Sequence, residues 1–387
     1  MTPLRVLYLI DSLGPGGAQR QLVTLVRSLD RTLVAPEVAV YHPLSHFRPE
    51  LDAAGVPVHL LQGSGGRDPR VLIALARLLG RERYDIVHSY LRTPGVLARV
   101  ATCFRRRPVT IVSERNVDVG LSRRNLLIER ALANSGDAMI ANAEAVRQTV
   151  VKHVPGWRDR IHVVPNGIDW SEPTPQDLRD ASQFRESMSA GRDLLIGTIA
   201  RVEIQKNPHL LLDAIELLPA EVRDRVRFVW VGAWTDRSLL GTVRERLNAS
   251  ELKGCLELLE PTDRIRSVYL ALDGLVLSSS WEGCPNAVLE GLAHGRPVIA
   301  TDVGDVSEII RPGESGWIVP PGDAKSLSAA IAELVSLPAS RRADMGKAGS
   351  AFVLDKYSAE RLAERTLSVY RRVLDLREVP ADRRNLD

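Results

Sequence analysis

Short apolar runs alternate along the chain with stretches whose apolar residues recur every three or four positions. Arg5–Ile10, Val34–Tyr41, Asp85–His88, Val109–Val112, Ala138–Ala141 and Ile161–Val164 read as strands. After the first of them Gly14, Gly16 and Gly17 make a loop. Leu22, Leu25, Val26 and Leu29 then give Ala18–Leu29 one apolar helical face. The pattern breaks at Pro165-Asn166-Gly167-Ile168-Asp169. From Trp170 to Arg192 the chain is polar, with Pro173 and Pro175, which predicts a linker and a short helix. A second series follows at Leu194–Ala200, Val226–Val231, Cys255–Leu259, Gly274–Leu277, Val298–Ala300 and Trp317–Val319. Helices lie between, as at Pro208–Leu218 and Ala324–Leu337, and a last long helix covers Ala359–Leu376. Strands separated by helices imply βαβ units and parallel sheets. The fold class is α/β, with two Rossmann-like doubly wound domains facing a cleft. Ligands of such sheets bind beyond the carboxyl ends of the strands. The chemistry is therefore to be sought in loops that follow a strand and open a helix.

Composition narrows the classes. A chain of 387 residues with 44% hydrophobic and 26% charged positions suits two globular domains. The apolar N-terminal run is too short for a signal-peptide core, and no run reaches the ~18 residues of a membrane helix. Cys103, Cys255 and Cys284 form no CxxC pair and do not cluster with histidine, which disfavours a disulfide framework or a zinc site and favours a reducing cytoplasm. The net charge of +3 conceals an asymmetry. Residues 1–170 carry 23 Lys and Arg against 15 Asp and Glu, and the remainder carries 28 against 33. A basic first half suits an anionic partner. Arg105-Arg106-Arg107 and Arg123-Arg124 fit either an anionic lipid surface or a solvated face. Nucleic acid is disfavoured, because aromatics are only 5% and no binding module's signature occurs.

Three loops carry candidate chemistry. Ser278-Ser279-Ser280-Trp281-Glu282-Gly283-Cys284-Pro285-Asn286 follows an apolar run, and Glu290 lies one turn into the helix that begins near Asn286. Backbone N–H groups at such a helix start attract anions. Glu282 and Glu290 can accept hydrogen bonds from vicinal hydroxyls, although Glu290 fits a capping or surface role equally well. Gly197-Thr198-Ile199-Ala200-Arg201 and Lys206-Asn207-Pro208 put two cations after a strand, where they could neutralise a diphosphate or simply sit beside a turn. The chain contains no Asp-x-Asp, so a departing diphosphate would need fixed cations of this kind. Gly14-Pro15-Gly16-Gly17 lets backbone approach a ligand or makes a plain turn. It is not the GxGxxG spacing, and Tyr41-His42 ends the second strand where a dinucleotide site has an acid. His88 closes a strand, and Ser113-Glu114-Arg115-Asn116 directly follows another; each could meet a sugar or serve locally.

Glu282-x7-Glu290, the Gly197–Arg201–Lys206 loop and Gly16-Gly17 together resemble the retaining glycosyltransferases of the GT-B fold, family four. Val164–Asp169, Pro297–Gly304 with Glu308, and Gly316–Asp323 are also similar to that family, so the resemblance covers nearly the whole chain. It implies an acceptor-binding domain over 1–175, completed by 358–387 as the last helix crosses back, and a nucleotide-sugar domain over 190–357. Glu290 would hold the ribose, Glu282 the transferred sugar, and Arg201 and Lys206 the diphosphate. Gly283, Cys284, Asn286 and Leu259 would line the donor. Gly16 and Gly17 would approach its sugar-phosphate from the other domain, and His88, Arg115 and Asn116 would stand on the acceptor side. No metal or other cofactor is implied. Where many members carry a histidine after the strand ending at Val112, this chain has Ser-Glu-Arg-Asn, similar to a subgroup acting on bacterial surface polysaccharides with UDP-linked sugars. The expected enzyme transfers a hexose or N-acetylhexosamine to a lipid-linked or saccharide acceptor, in the cytoplasm or peripherally on the inner face of the plasma membrane. A nucleotide-sugar epimerase or hydrolase, or a non-catalytic partner subunit, remain the alternatives.

Overall fold

The computed structural model describes residues 2–103, 108–117, 122–234, 236–248 and 252–378. Seven strands build the first sheet: β1 (Leu4–Leu9), β2 (Val34–Val40), β3 (Val58–Leu60), β4 (Ile86–Tyr90), β5 (Val109–Glu114), β6 (Ala138–Ala141) and β7 (Ile161–Val163). Six build the second: β8 (Leu194–Ile199), β9 (Val226–Val231), β10 (Leu256–Leu259), β11 (Gly274–Leu277), β12 (Val298–Thr301) and β13 (Gly316–Val319). Their orders are β3-β2-β1-β4-β5-β6-β7 and β10-β9-β8-β11-β12-β13. Every pair is parallel. Helices cover both faces of such sheets, so the central strands are apolar throughout rather than alternating. Val6 to Leu9 are all fully buried, as are Leu275 and Val276. The edge strand β3 is unforeseen because it is three residues long, carries His59 at its centre and is only partly buried.

The strand orders locate the chemistry. In the first sheet the order reverses at β1, which lies between β2 and β4. In the second it reverses at β8, which lies between β9 and β11. Such a switch point opens a crevice where the two following loops part. In the second sheet those loops are the ones that carry Arg201 and Lys206 after β8, and Glu282 after β11.

The chain divides into two compact units, residues 1–169 with 358–387, and residues 170–357. The boundary therefore falls before the segment predicted to hold a linker and a short helix. Most of that segment is a helix, Pro175–Ser189, opened by a reciprocal capping box between Thr174 and Asp177. It belongs to the second unit, where it packs along the Ile265–Ala271 helix. Asp180 and Asp177 pair with Arg264 and Arg266 at 3.4 and 3.8 Å. Arg185 reaches Asp273 and the Ala271 carbonyl at 2.8 and 2.9 Å. Its polarity is that of a helix held by ion pairs.

The Ala359–Glu378 helix returns to the first unit. Leu362, Ala363, Val369, Tyr370 and Val373 join the core formed by β1, β4 and the Gly17–Ser28 helix. Its start is tied to the point where the chain leaves, since Ala359 N–H donates to the Ile168 carbonyl at 2.9 Å. Gln21 braces the same corner, donating to the Gly167 carbonyl and accepting from its N–H, both at 2.8 Å. Asn166-Gly167 is thus a docking point as well as a turn. Among the described residues no helix is long and apolar enough to cross a membrane. Arg105-Arg106-Arg107 and the chain beyond Glu378 lie outside the described residues.

Candidate active site

The loop after β8 is anchored where it leaves the strand. Trp230 Nε1 donates to the Ala200 carbonyl at 2.8 Å, and Val202 N–H donates to the Ala233 carbonyl at 2.9 Å. A short 3-10 turn, Ile204–Lys206, leads to Asn207, whose φ of 46° is left-handed. Asparagine tolerates that conformation, and its Oδ1 caps the Pro208–Glu216 helix by accepting from Leu210 N–H at 3.3 Å. Lys206 therefore projects from a fixed backbone between a strand and a helix.

The loop after β11 is stapled onto it. Ser278 Oγ donates to the Lys206 carbonyl at 2.9 Å, and Ser280 N–H donates to the Gln205 carbonyl at 2.8 Å. Gln205 Nε2 donates to the Trp281 carbonyl at 2.9 Å and to Glu282 Oε2 at 3.3 Å. Lys206 Nζ lies 2.5 Å from Glu282 Oε1, which also accepts from Ser279 Oγ at 2.6 Å. Glu282 is 6% exposed, so its charge is stabilised by these donors rather than by bulk water. A third loop backs the second. Gly304 has φ 60° and sits so close that a Cβ would fall 2.2 Å from the Gly283 carbonyl oxygen. Asp305 N–H donates to that same oxygen at 3.0 Å. Only glycine allows this approach.

The Asn286–Ala293 helix starts directly beyond, after Pro285, whose own side chain supplies no cap. A helix start presents positive charge to an anion. Cys284 is buried in this turn. Leu259 ends β10, its carbonyl accepting from Gly232 N–H at 3.0 Å. Glu290 lies one turn into the helix and has a separate partner, with its Oε2 accepting from Tyr269 Oη at 2.8 Å. Arg201 is the exposed member, 3.0 Å from Glu203. The structure thus joins Lys206 to Glu282 and gives Arg201 and Glu290 partners of their own. Gln205, Ser279 and Tyr269 complete the arrangement. Ser279 lies in a polar run directly after a strand, which is a readable signal; Tyr269 had none.

The polar residues of the first unit are disposed differently. Gly16 ends the loop after β1 in extended backbone, and the helix from Gly17 has no side-chain cap. A Cβ on Gly16 would meet only the movable end of Gln19, so local packing does not demand glycine there. His88 does not close its strand, because β4 continues to Tyr90. It is 1% exposed, with Nδ1 2.7 Å from Tyr370 Oη and Nε2 2.8 Å from Ser113 Oγ. Tyr370 donates onward to Tyr8 Oη at 3.0 Å, so Nδ1–H donates and Nε2 accepts. Burial, aided by the nearby Arg115 charge, pushes the imidazole pKa down to about 3. Both ring nitrogens are engaged inside the unit. Arg115 donates to Asn166 Oδ1 at 2.6 Å and lies over the Tyr90 ring, while Asn116 is exposed. Burial raises the Glu114 carboxyl pKa. Leu91, just after β4, has φ 72°, a costly conformation of ~1–3 kcal/mol for a residue with a Cβ, and it stands at the switch point of the first sheet.

A cavity of about 670 Å³ in the second unit, lined by Trp170, His294, Arg296, Ala343 and Leu354 among others, adjoins the starts of β11 and β12. It lies at the opposite ends of the strands from Lys206 and Glu282, so volume does not mark this site. No group of three or more His, Cys, Asp or Glu placed to hold a metal occurs among the described residues.

Comparison with known proteins agrees with this architecture. Residues 15–172 match the family model Glycosyltransferase Family 4, and residues 180–369 match Glycosyl transferases group 1. The chain is 31% identical over 265 residues to the alpha-maltose-1-phosphate synthase of Mycolicibacterium smegmatis, covering 64% of this chain and 66% of that one. It is 26% identical over 275 residues to the UDP-Gal:alpha-D-GlcNAc-diphosphoundecaprenol alpha-1,3-galactosyltransferase of Escherichia coli, covering 68% and 70%. Among solved structures, Anabaena Alr3699/HepE in complex with UDP and glucose superposes with a TM-score of 0.83 at 19% identity, over 95% of this chain and all of that one. The matches run through both units, and the chain belongs to family four of the glycosyltransferases, with the GT-B fold.

Proposed function

We propose that this glycosyltransferase moves a hexose or N-acetylhexosamine from a UDP-sugar to a lipid-linked or saccharide acceptor, retaining anomeric configuration and needing no metal, in surface-polysaccharide or glycolipid assembly. The observation that carries the reading is the Lys206–Glu282 pair, 2.5 Å apart at the switch point of the second sheet, beside the helix start at Asn286. An ammonium has three N–H donors. One held by Glu282 leaves others for a phosphate oxygen, and Arg201 adds a planar fork. Glu282 then both orients Lys206 and accepts from sugar hydroxyls. Glu290 receives the ribose. The first unit, with Arg115 and Asn116, is assigned to the acceptor. UDP is favoured as the carrier by the E. coli relative's name and by the ligands in the HepE complex.

In this reading the sugar C1–O bond to the diphosphate breaks while the acceptor oxygen bonds to C1 on the same face. The acceptor proton passes to the departing phosphate oxygen. The chain contributes positioning and fixed positive charge where negative charge develops.

Calorimetric titration of UDP, GDP and ADP in EDTA tests the site, followed by product analysis with UDP-glucose and UDP-N-acetylglucosamine. UDP binding in chelator that is lost in Lys206→Ala supports the reading. Binding only with magnesium refutes the cationic site. An epimerised or freely released sugar as sole product would favour an epimerase or hydrolase. Tight UDP binding without any transfer would favour a non-catalytic partner.

A further inference from the structure

We propose that Tyr269 is a positioning residue that sets the Glu290 carboxylate for the ribose of the donor, and so makes the site selective for ribonucleotides. The inference rests on the assignment of Glu290 to the ribose, made above. Tyr269 is 1% exposed on the Ile265–Ala271 helix, and its hydroxyl donates to Glu290 Oε2 at 2.8 Å. A carboxylate accepts hydrogen bonds at both oxygens, so a donor fixed on one of them orients the whole group.

The tyrosine is itself immobilised. Its ring stacks on His294, with centroids 4.9 Å apart and planes 13° apart. The His294 ring is fixed by Nδ1–H donating to the Glu290 carbonyl at 2.7 Å, and the Trp170 ring meets it edge-on at 5.0 Å. Backbone and carboxylate of Glu290 are thus held from the same aromatic pair. Behind Tyr269, its helix is clamped by the Pro175–Ser189 helix through the ion pairs of Asp177, Asp180 and Arg185. A carboxylate on a freely rotating side chain would have to be ordered by each incoming nucleotide. Here the fold has ordered it in advance, which lowers the entropic cost of binding.

The test compares UDP with 2′-deoxy-UDP by calorimetry on the full chain. In the wild type UDP should bind at least tenfold tighter. Tyr269→Phe removes one oxygen and should weaken UDP about tenfold while barely changing 2′-deoxy-UDP, so the ratio falls toward one. Glu290→Ala should abolish the ratio altogether. His294→Ala keeps the hydroxyl but removes the plane on which it rests, and should lower the ratio about threefold; it carries the test if Tyr269→Phe does not fold. An unchanged ratio in Glu290→Ala overturns the ribose assignment itself. A collapsed ratio in Glu290→Ala with a wild-type ratio in Tyr269→Phe overturns the positioning role alone. Equal weakening of both nucleotides in Tyr269→Phe reduces Tyr269 to a structural residue and also overturns it.

Discussion

The two sheets share one topology but dispose of their polar residues in opposite ways. In the first unit His88 and Ser113 turn into the interior, where Tyr370 and Tyr8 complete a closed chain of hydrogen bonds. In the second, Lys206 and Glu282 meet from two different loops, each loop held to the other by a side chain that donates to its backbone. A polar residue near the end of a parallel strand is therefore not by that fact a ligand group. What separates the cases is whether its hydrogen-bonding capacity is consumed within the fold or left partly unspent beside a crevice.

The strongest way to break this contrast is to remove Lys206. Lys206→Ala should lower transfer from a UDP-sugar by about 10³-fold, as expected when a fixed donor to developing charge is lost. It also strands the buried Glu282 carboxylate, and urea unfolding should report a loss of about 3 kcal/mol. Replacing both partners, Lys206→Met with Glu282→Leu, should recover most of the stability and none of the transfer. Recovery of transfer in the double variant would place the pair on the structural side, with His88.

A smaller effect is expected at Arg201, which is exposed and holds no loop in place. Arg201→Ala should cost about 10- to 100-fold in transfer while leaving the unfolding midpoint where it is. His88→Phe should do the reverse. It deprives Ser113 and Tyr370 of a buried partner, worth about 2 kcal/mol, and transfer should stay within about threefold of wild type. If the two variants exchanged phenotypes, the contrast between the units would be wrong.

The same contrast explains what was legible. The central strands were readable because parallel strands buried on both faces are continuous apolar runs, and the Glu282, Arg201 and Lys206 loops because polar residues directly follow such runs. One element was read too short and another was hidden, both for physical reasons. The Pro175–Ser189 helix has a single buried residue, Ala181, and is docked by ion pairs, so it lacks an apolar stripe. The Ala339–Lys356 helix buries Met345, Gly346, Gly349 and Val353, with two glycines where a hydrophobic pattern would show. Tyr269 was unreadable because its neighbours Ser267, Val268 and Ala271 are buried too. Nothing in the sequence distinguishes the one whose hydroxyl meets Glu290.

The charge asymmetry between the halves offers a further way to sharpen the comparison. Arg123 and Arg124 are exposed at the start of the Arg123–Ala131 helix. If the first unit faces anionic lipid, Arg123→Ala with Arg124→Ala should weaken binding to phosphatidylglycerol-containing vesicles about 30-fold at low salt. Wild-type binding should fade as salt screens the charge. Equal binding to neutral phosphatidylcholine vesicles would remove the electrostatic basis.

A pH dependence is expected of two histidines, one in each unit. Burial lowers the pKa of His88 to about 3 and that of His294 to about 4, from an ordinary value of 6.5. Between 6.5 and those values the unfolded chain binds protons that the folded chain refuses. Each ring's contribution is therefore complete above pH 6.5 and is lost as the pH falls, at about 1.4 kcal/mol per unit. The loss stops near pH 4 for His294 and near pH 3 for His88. Unfolding free energies measured from pH 7 to pH 4 should be shallower in His88→Phe, and independently in His294→Phe, than in wild type. An unaltered slope in His88→Phe would mean that the folded protein protonates this ring at ordinary pH. That requires access from solvent, and with it His88 would leave the closed interior network and rejoin the residues a sugar could touch.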